Sequence, residues 1–260
     1  MNGDLRVLSG GDGEPLLILL HGLGATADVW AGWRPTLADR WPGRWVAPDL
    51  PGHGGSAPLP EYTFEALAAA VRPLAEAGDR TVVLGHSLGG VVALALAAAG
   101  APVTVVAGLG IKVAWSDEEL DRAQAMARRP VTWFGSRDEA AARHLRVSGL
   151  SGLIDDGDPA VDAGLSEQDG RWRLALDGRA FGVGAPDVAG LVTRSPAAVI
   201  LARGEHDPMN TDEQLAGFGV PVVTLAGLGH NAHVEDPERC MTLLDEITAA
   251  DRPGAGRDHG

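Results

Sequence analysis

The chain has a single cysteine, Cys240, among its 260 residues, which excludes an internal disulfide. Cys240 falls in a helix-like C-terminal segment and reads as a packing residue. Positive charge is also scarce. Lys112 is the only lysine, and 21 basic residues face 35 acidic ones. The formal net charge of −14 argues against a nucleic-acid partner and against docking on an anionic membrane. It gives no support for long-range steering of strongly anionic substrates. Scarce lysine beside abundant Ala and Gly reads as composition bias. No uncharged apolar stretch is long enough to span a bilayer. Met1-Asn2-Gly3-Asp4-Leu5-Arg6 lacks the charged and apolar regions of a signal peptide, so a cytoplasmic, reduced setting is expected. There is no internal repeat, and nothing marks an oligomeric state.

What is present is an alternation of short apolar runs with helix-prone segments. Leu5 to Ser9 reads as an edge strand, followed by a turn at Gly10-Gly11-Asp12-Gly13. Leu16 to Leu20 is a continuous apolar run, as expected of a strand buried on both faces. Trp45 to Ala47, Thr81 to Leu84, Val103 to Ala107, Ala198 to Ala202 and Val220 to Leu225 read as further strands. Glu65 to Ala77 predicts a helix kinked or interrupted at Pro73, and Pro237 to Ala250 a closing helix. This order predicts an α/β fold with a parallel sheet and helices on both faces. Its core would be residues 1–110 and 196–250, with a polar, Gly-rich tail fraying over 251–260.

Residues 111–195 break the rhythm. Ser116 to Arg129 predicts a helix, with Glu119 three residues after a Ser116 N-cap, and Arg137 to Arg146 predicts another. A segment this long between two strands is an insertion, expected to form a lid over a site. Its aromatics, Trp115, Trp133, Phe134, Trp172 and Phe181, are candidate substrate-binding residues, although buried aromatics often simply pack.

The chemistry concentrates at Gly85-His86-Ser87-Leu88-Gly89, between an apolar strand and the helix-prone Val91 to Ala97. Small residues on either side of Ser87 permit a sharp turn that holds its hydroxyl clear of the sheet. The following helix aims N–H groups at whatever reacts there. A serine hydroxyl is a poor nucleophile and needs a base, which in turn needs an orienting acid. Imidazole suits the base, with an ordinary pKa of about 6.5. His230 follows Gly227-Leu228-Gly229 at the end of a late strand, with His233 as its rival. Asp207, fixed in a turn by Pro208, is favoured as the acid over Glu205. An oxyanion site needs two converging N–H donors. Leu88, after the serine, offers one, and Leu23 in His21-Gly22-Leu23-Gly24 offers the other.

These pieces resemble the α/β-hydrolase fold superfamily, in its single-domain, lid-bearing form. The resemblance rests on five segments in order. They are His21 to Gly24, Asp49-Leu50-Pro51-Gly52-His53-Gly54-Gly55-Ser56, Gly85 to Gly90, Gly204-Glu205-His206-Asp207, and Gly229-His230-Asn231-Ala232-His233 with Glu235 and Pro237. The resemblance implies about eight mostly parallel strands with an inserted cap, a serine nucleophile at Ser87, acid at Asp207 and base at His230. Ser87 stands where dehalogenases and epoxide hydrolases of the fold carry aspartate, which disfavours those activities. The leading expectation is a serine hydrolase acting on a small-molecule substrate, a carboxylic ester, lactone or thioester, using no metal and no organic cofactor. Carbon–carbon bond hydrolases and a menaquinone-pathway lyase share the fold. That lyase group carries arginine where this chain has Val91, which weakens the lyase reading. A non-catalytic small-molecule receptor is the third expectation.

Overall fold

The computed structural model describes residues 4–251. Its strands are β1 (Val7–Gly10), β2 (Leu16–Leu20), β3 (Trp45–Pro48), β4 (Thr81–His86), β5 (Val103–Leu109), β6 (Leu165–Gln168), β7 (Arg171–Leu174), β8 (Ala198–Gly204) and β9 (Val222–Leu225). Its helices are α1 (Arg34–Arg40), α2 (Phe64–Ala75), α3 (Leu88–Ala98), α4 (Asp117–Ala127), α5 (Arg137–Ser148), α6 (Pro159–Asp162), α7 (Val188–Arg194), α8 (Asp212–Ala216), α9 (Ala232–Glu235) and α10 (Met241–Ala250).

The main sheet has seven strands in the order β1-β3-β2-β4-β5-β8-β9. Only β1 runs antiparallel, against β3. This corrects the expected count of about eight: β1 pairs directly with β3, and the Gly11–Pro15 turn returns the chain straight to central β2. The five residues of β2 are all buried and split by period two between the sheet's faces. Leu16, Ile18 and Leu20 join α2, α3 and α7 on one face. Leu17 and Leu19 join Trp30, Trp33 and α10 on the other. From β2 the chain steps to β3 on one side, then returns to β4 on the other. The carboxyl ends of β2 and β4 are therefore the topological switch point, where α/β sheets bind ligands.

Three boundaries differ from expectation. The closing helix begins at Met241, not Pro237; Asp236 is extended before the proline (φ −152°, ψ 89°), and residues 237–240 form a turn. Helix α2 runs through Pro73, which sits in its last turn and removes a single ladder bond. Helix α7, which falls within 111–195, buries Val188 and Leu191 against α3 and belongs to the core layer. The rest of that segment holds α4 with its Ser116–Glu119 capping box, α5, α6 and the antiparallel β6–β7 hairpin. It bonds back to the body through Gly54 N–H to Ala175 O (2.7 Å) and Asp177 N–H to Gly52 O (2.7 Å).

Cys240 is fully buried beside α10, and burial pushes its thiol up to about 12. Asp251, assigned by sequence to the fraying tail, is instead buried. It accepts from Arg80 Nε (2.8 Å) and Thr104 Oγ1 (2.6 Å), anchoring α10 to β4 and β5. Residues 252–260 of that expected tail lie outside the described residues. Asp251→Ala removes both acceptors and is expected to lower stability by about 1–3 kcal/mol in urea melts. An unchanged midpoint would show that the anchor contributes nothing.

Candidate active site

Ser87 occupies φ 50°, ψ −114°, one of two non-glycine residues with positive φ among those described. Such a conformation costs on the order of 1–3 kcal/mol and persists only where the surroundings enforce it. Here the enforcement is steric. A methyl group at Gly89 would lie 2.5 Å from the Leu20 carbonyl oxygen, and one at Gly85 would overlap the Gly89 carbonyl. The Ser87 N–H donates to Leu109 O at 2.8 Å, locking the turn to the end of β5.

Four further loops meet this turn at the same sheet edge. After β2, Gly22 packs so closely that a methyl there would come 3.4 Å from Ser87 Cβ. After β5, a methyl at Gly110 would lie 3.2 Å from both Asp207 Oδ2 and His230 Nδ1. After β8 and β9 come Asp207 and His230 themselves. The His230 Nδ1–H donates to Asp207 Oδ2 at 3.0 Å. This bond leaves Nε2 as the acceptor nitrogen of the neutral ring. The Asp207 side chain is fully buried, and its Oδ1 accepts from the Met209 N–H at 2.8 Å. Ser87 Oγ is not hydrogen-bonded to His230 here; such bonds commonly tighten only with substrate present.

The rivals are placed elsewhere. Glu205 is exposed and accepts from the Gly227 N–H at 2.8 Å. His233 is buried against Trp30, with ring centroids 4.6 Å apart. Neither Leu23 N–H nor Leu88 N–H donates to a protein group among the described residues. Leu88 opens α3, so its N–H has no acceptor within the helix.

Of the five candidate aromatics, Phe134 and Phe181 line a cavity of about 130 Å³. Trp115 is exposed, with Lys112 over its ring. Trp133 carries the guanidiniums of Arg171 and Arg173 over its ring, 5.5 and 5.8 Å from the centroid. Trp172, in β7, pairs with Phe134 through its backbone. None of these three tryptophans lines that cavity.

Three residues outside the Ser87, Asp207 and His230 set hold the site together. Arg203 is buried, donates to the Asp207 carbonyl (3.1 Å) and Asn210 Oδ1 (2.9 Å), and pairs with Asp212. Glu235 accepts from the N–H groups of Gly229 (2.6 Å) and Asn231 (3.1 Å), bracketing His230. His86 donates from Nε2 to the His230 carbonyl (2.9 Å) and packs beneath both His230 and His233. Glu235, five residues after His230, had a readable signal in the spacing; the other two act only through space.

A layer of neutral imidazoles underlies this edge. His21 donates from Nδ1 to Gly22 O (2.8 Å) and accepts the Leu50 N–H at Nε2 (2.8 Å). Burial pushes His21 down to about 4 and His53 and His233 to about 3, and holds His86 well below the ordinary imidazole value. Among the described residues, no group of three or more His, Cys, Asp or Glu side chains is placed to hold a metal ion. No helix is long and apolar enough to cross a membrane, again among the described residues.

Comparison with known proteins identifies the family. A model described as "Alpha/beta hydrolase family" matches residues 17–243, and the chain belongs to that family. The chain is 30% identical to a pimeloyl-[acyl-carrier protein] methyl ester esterase of Aromatoleum aromaticum, over 90% of this chain and 98% of that one. It is 39% identical to a magnesium-chelatase 30 kDa subunit of Rhodobacter capsulatus, over 84% and 81%. It also matches uncharacterized proteins of Mycobacterium bovis and Mycobacterium tuberculosis at 41% identity, spanning only a quarter of their length. The structure of an E-2-(acetamidomethylene)succinate hydrolase superposes with a TM-score of 0.80 at 23% identity, covering 95% of this chain and 96% of that one. This likeness concerns the fold alone.

The four depressed imidazoles tie stability to pH. Their folded values lie below the unfolded value of about 6.5, so folding favours the neutral ring. The stabilisation is full above that value and is lost as pH falls towards 4 and then 3. The urea midpoint is expected to drop between about pH 6.5 and 5, above the range where carboxylates titrate. His53→Gln should flatten that drop. A midpoint constant across the window would contradict the neutral-layer assignment.

Proposed function

We propose that this protein is a serine hydrolase of a small carboxylic ester, lactone or thioester. The observation that carries the reading is the Asp207–His230 hydrogen bond at 3.0 Å, at the edge where Ser87 is held in its left-handed turn. Ser87 Oγ attacks the substrate carbonyl carbon as its proton passes to His230 Nε2. Asp207 stays ionised, holds the ring in the required tautomer and stabilises the imidazolium. The carbonyl oxygen, now negative, accepts from the N–H groups of Leu23 and Leu88. Each such donor is worth about 10²–10³ in rate. The tetrahedral adduct collapses, the acyl–oxygen or acyl–sulfur bond breaks, and His230 protonates the departing group. Water then gives a proton to His230 and its oxygen to the acyl carbon. The acid is released and Ser87 regains its proton. The segment between β5 and α7 serves as the lid over this edge, with Gly149 O accepting from Asn231 Nδ2 (3.0 Å) beside His230.

The similarity to a methyl ester esterase over nearly the full chain supports ester cleavage. Val91, buried in the core beneath the turn, supplies no positive charge for an acidic diketo substrate, which disfavours the lyase alternative. The competing reading is a non-catalytic small-molecule receptor.

Ser87→Ala is expected to cut ester turnover by about 10⁴ or more while leaving the melting curve native. His230→Ala should be comparably severe, and His233→Ala milder. Equal turnover by wild type and Ser87→Ala on aryl-ester substrates would remove the serine from its role. A reversed histidine ranking would move the base to His233.

A further inference from the structure

The cavity of about 130 Å³ lies between the stretch after α4, helix α5 and strand β7. Its walls are largely apolar, with Val131, Phe134, Val147 and Phe181 among them, yet Arg129 and Arg143 line the same space. Neither guanidinium has a carboxylate partner among the described residues. Acids are not lacking, since the chain holds 35 of them against 21 basic residues. Arg137, on the same helix as Arg143, pairs with Asp162 at 2.7 Å. Glu139, one turn before Arg143, is directed instead to the Gly135 N–H at 3.0 Å. Two guanidiniums without carboxylate partners, lining one largely apolar space, offer the charge and the hydrogen-bond forks that a carboxylate on an apolar chain could use.

Two walls of the cavity touch loops at the sheet edge that carries the candidate active site. A methyl group at Gly24 would lie 2.8 Å from Cγ1 of Val147, one of the cavity's walls. Gly24 directly follows Leu23, the proposed oxyanion donor. Leu176, another wall, bridges to the backbone of His53. At about 30 Å³ per water-sized group, the space holds roughly four such groups, enough for a short chain.

We propose that this cavity binds a carboxylate at the far end of the substrate's acyl chain, so that the preferred substrate is a half-ester of a short dicarboxylic acid. The proposal rests on the serine-hydrolase reading for the scissile end. The acyl–oxygen bond of the half-ester breaks and water supplies the hydroxyl of the new acid and the proton of the alcohol. The products are a dicarboxylic acid and an alcohol. Arg129 and Arg143 are specificity residues in this scheme and take no part in bond breaking.

The test is binding to the full-length Ser87→Ala protein by titration calorimetry, with monomethyl adipate and dimethyl adipate as probes. The two differ at one end only, a carboxylate in the first and an uncharged methyl ester in the second. The half-ester is expected to bind at least about tenfold tighter, the scale of a charge-assisted hydrogen bond. Arg143→Gln and, separately, the more exposed Arg129→Gln should each reduce that ratio. Arg143→Lys should restore part of it, because lysine keeps the charge without the fork. Thermal melts identify variants that remain folded. Equal binding of the two probes overturns the proposal, as does full discrimination in both folded glutamine variants. Tighter binding of an equally long phosphate monoester overturns the carboxylate assignment. None of these readouts needs turnover. Failure of Ser87-dependent hydrolysis in the wild type therefore sinks the serine-hydrolase reading, whereas equal binding sinks the subsite.

Discussion

Everything at the candidate site depends on how closely the β4–α3 turn can approach the end of β2. Gly89 rests against the Leu20 and His21 carbonyls, and Gly85 against Gly89 itself, at distances that leave no room for a side chain. That backbone contact forces Ser87 into a left-handed conformation and holds it beside Gly22. The cost of the conformation is small against the burial on both sheet faces, where β2 contributes five fully covered aliphatic side chains. The strain is therefore sustained by packing on either side of the turn, from α3 on one face and the Trp30–Trp33 layer on the other. Because the contact sits at the switch point of the sheet, the loop after β2 and the turn after β4 face one cleft.

The electrostatics follow from that placement. A buried carboxylate at Asp207 is tolerable because the Met209 N–H and the His230 ring both donate to it. Arg203 and Asn210 then fix the loop from behind, through the Asp207 and Ile111 carbonyls. Beneath His230 the protein places imidazoles that burial keeps neutral, His86 foremost. A neutral ring there can hold the His230 carbonyl without setting a second positive charge beside the imidazolium that catalysis would generate. Local packing and the proposed chemistry thus make the same demand on His86.

Sequence pattern was informative where the chain itself carries the constraint. Apolar runs ending in glycine-rich loops mark the ends of β2, β4 and β9, because a short strand buried on both faces has few other solutions. The turn at Asp207 was readable from Pro208. Spatial supports were harder to read. Arg203 looks like any strand-end arginine, and His86 reveals its role only when His230 lies above it. The β6–β7 hairpin carried a usable sign in Asp169-Gly170, both at positive φ, which suits a tight two-residue turn. Aromatic content alone does not say which residue meets a cavity: Phe134 and Phe181 line one that Trp115, Trp133 and Trp172 do not. Asp251 was misjudged for a similar reason: a polar residue near a chain end becomes an anchor only through partners far away in sequence.

The central claim is that Ser87 is an activated nucleophile. The most direct measurement is reaction of the folded protein with a fluorophosphonate, followed by peptide mass spectrometry. The account predicts a single stoichiometric adduct on Ser87 that forms rapidly in the wild type and far more slowly in His230→Ala. A folded wild-type protein that stays unlabelled, or that is labelled at another serine, would contradict it.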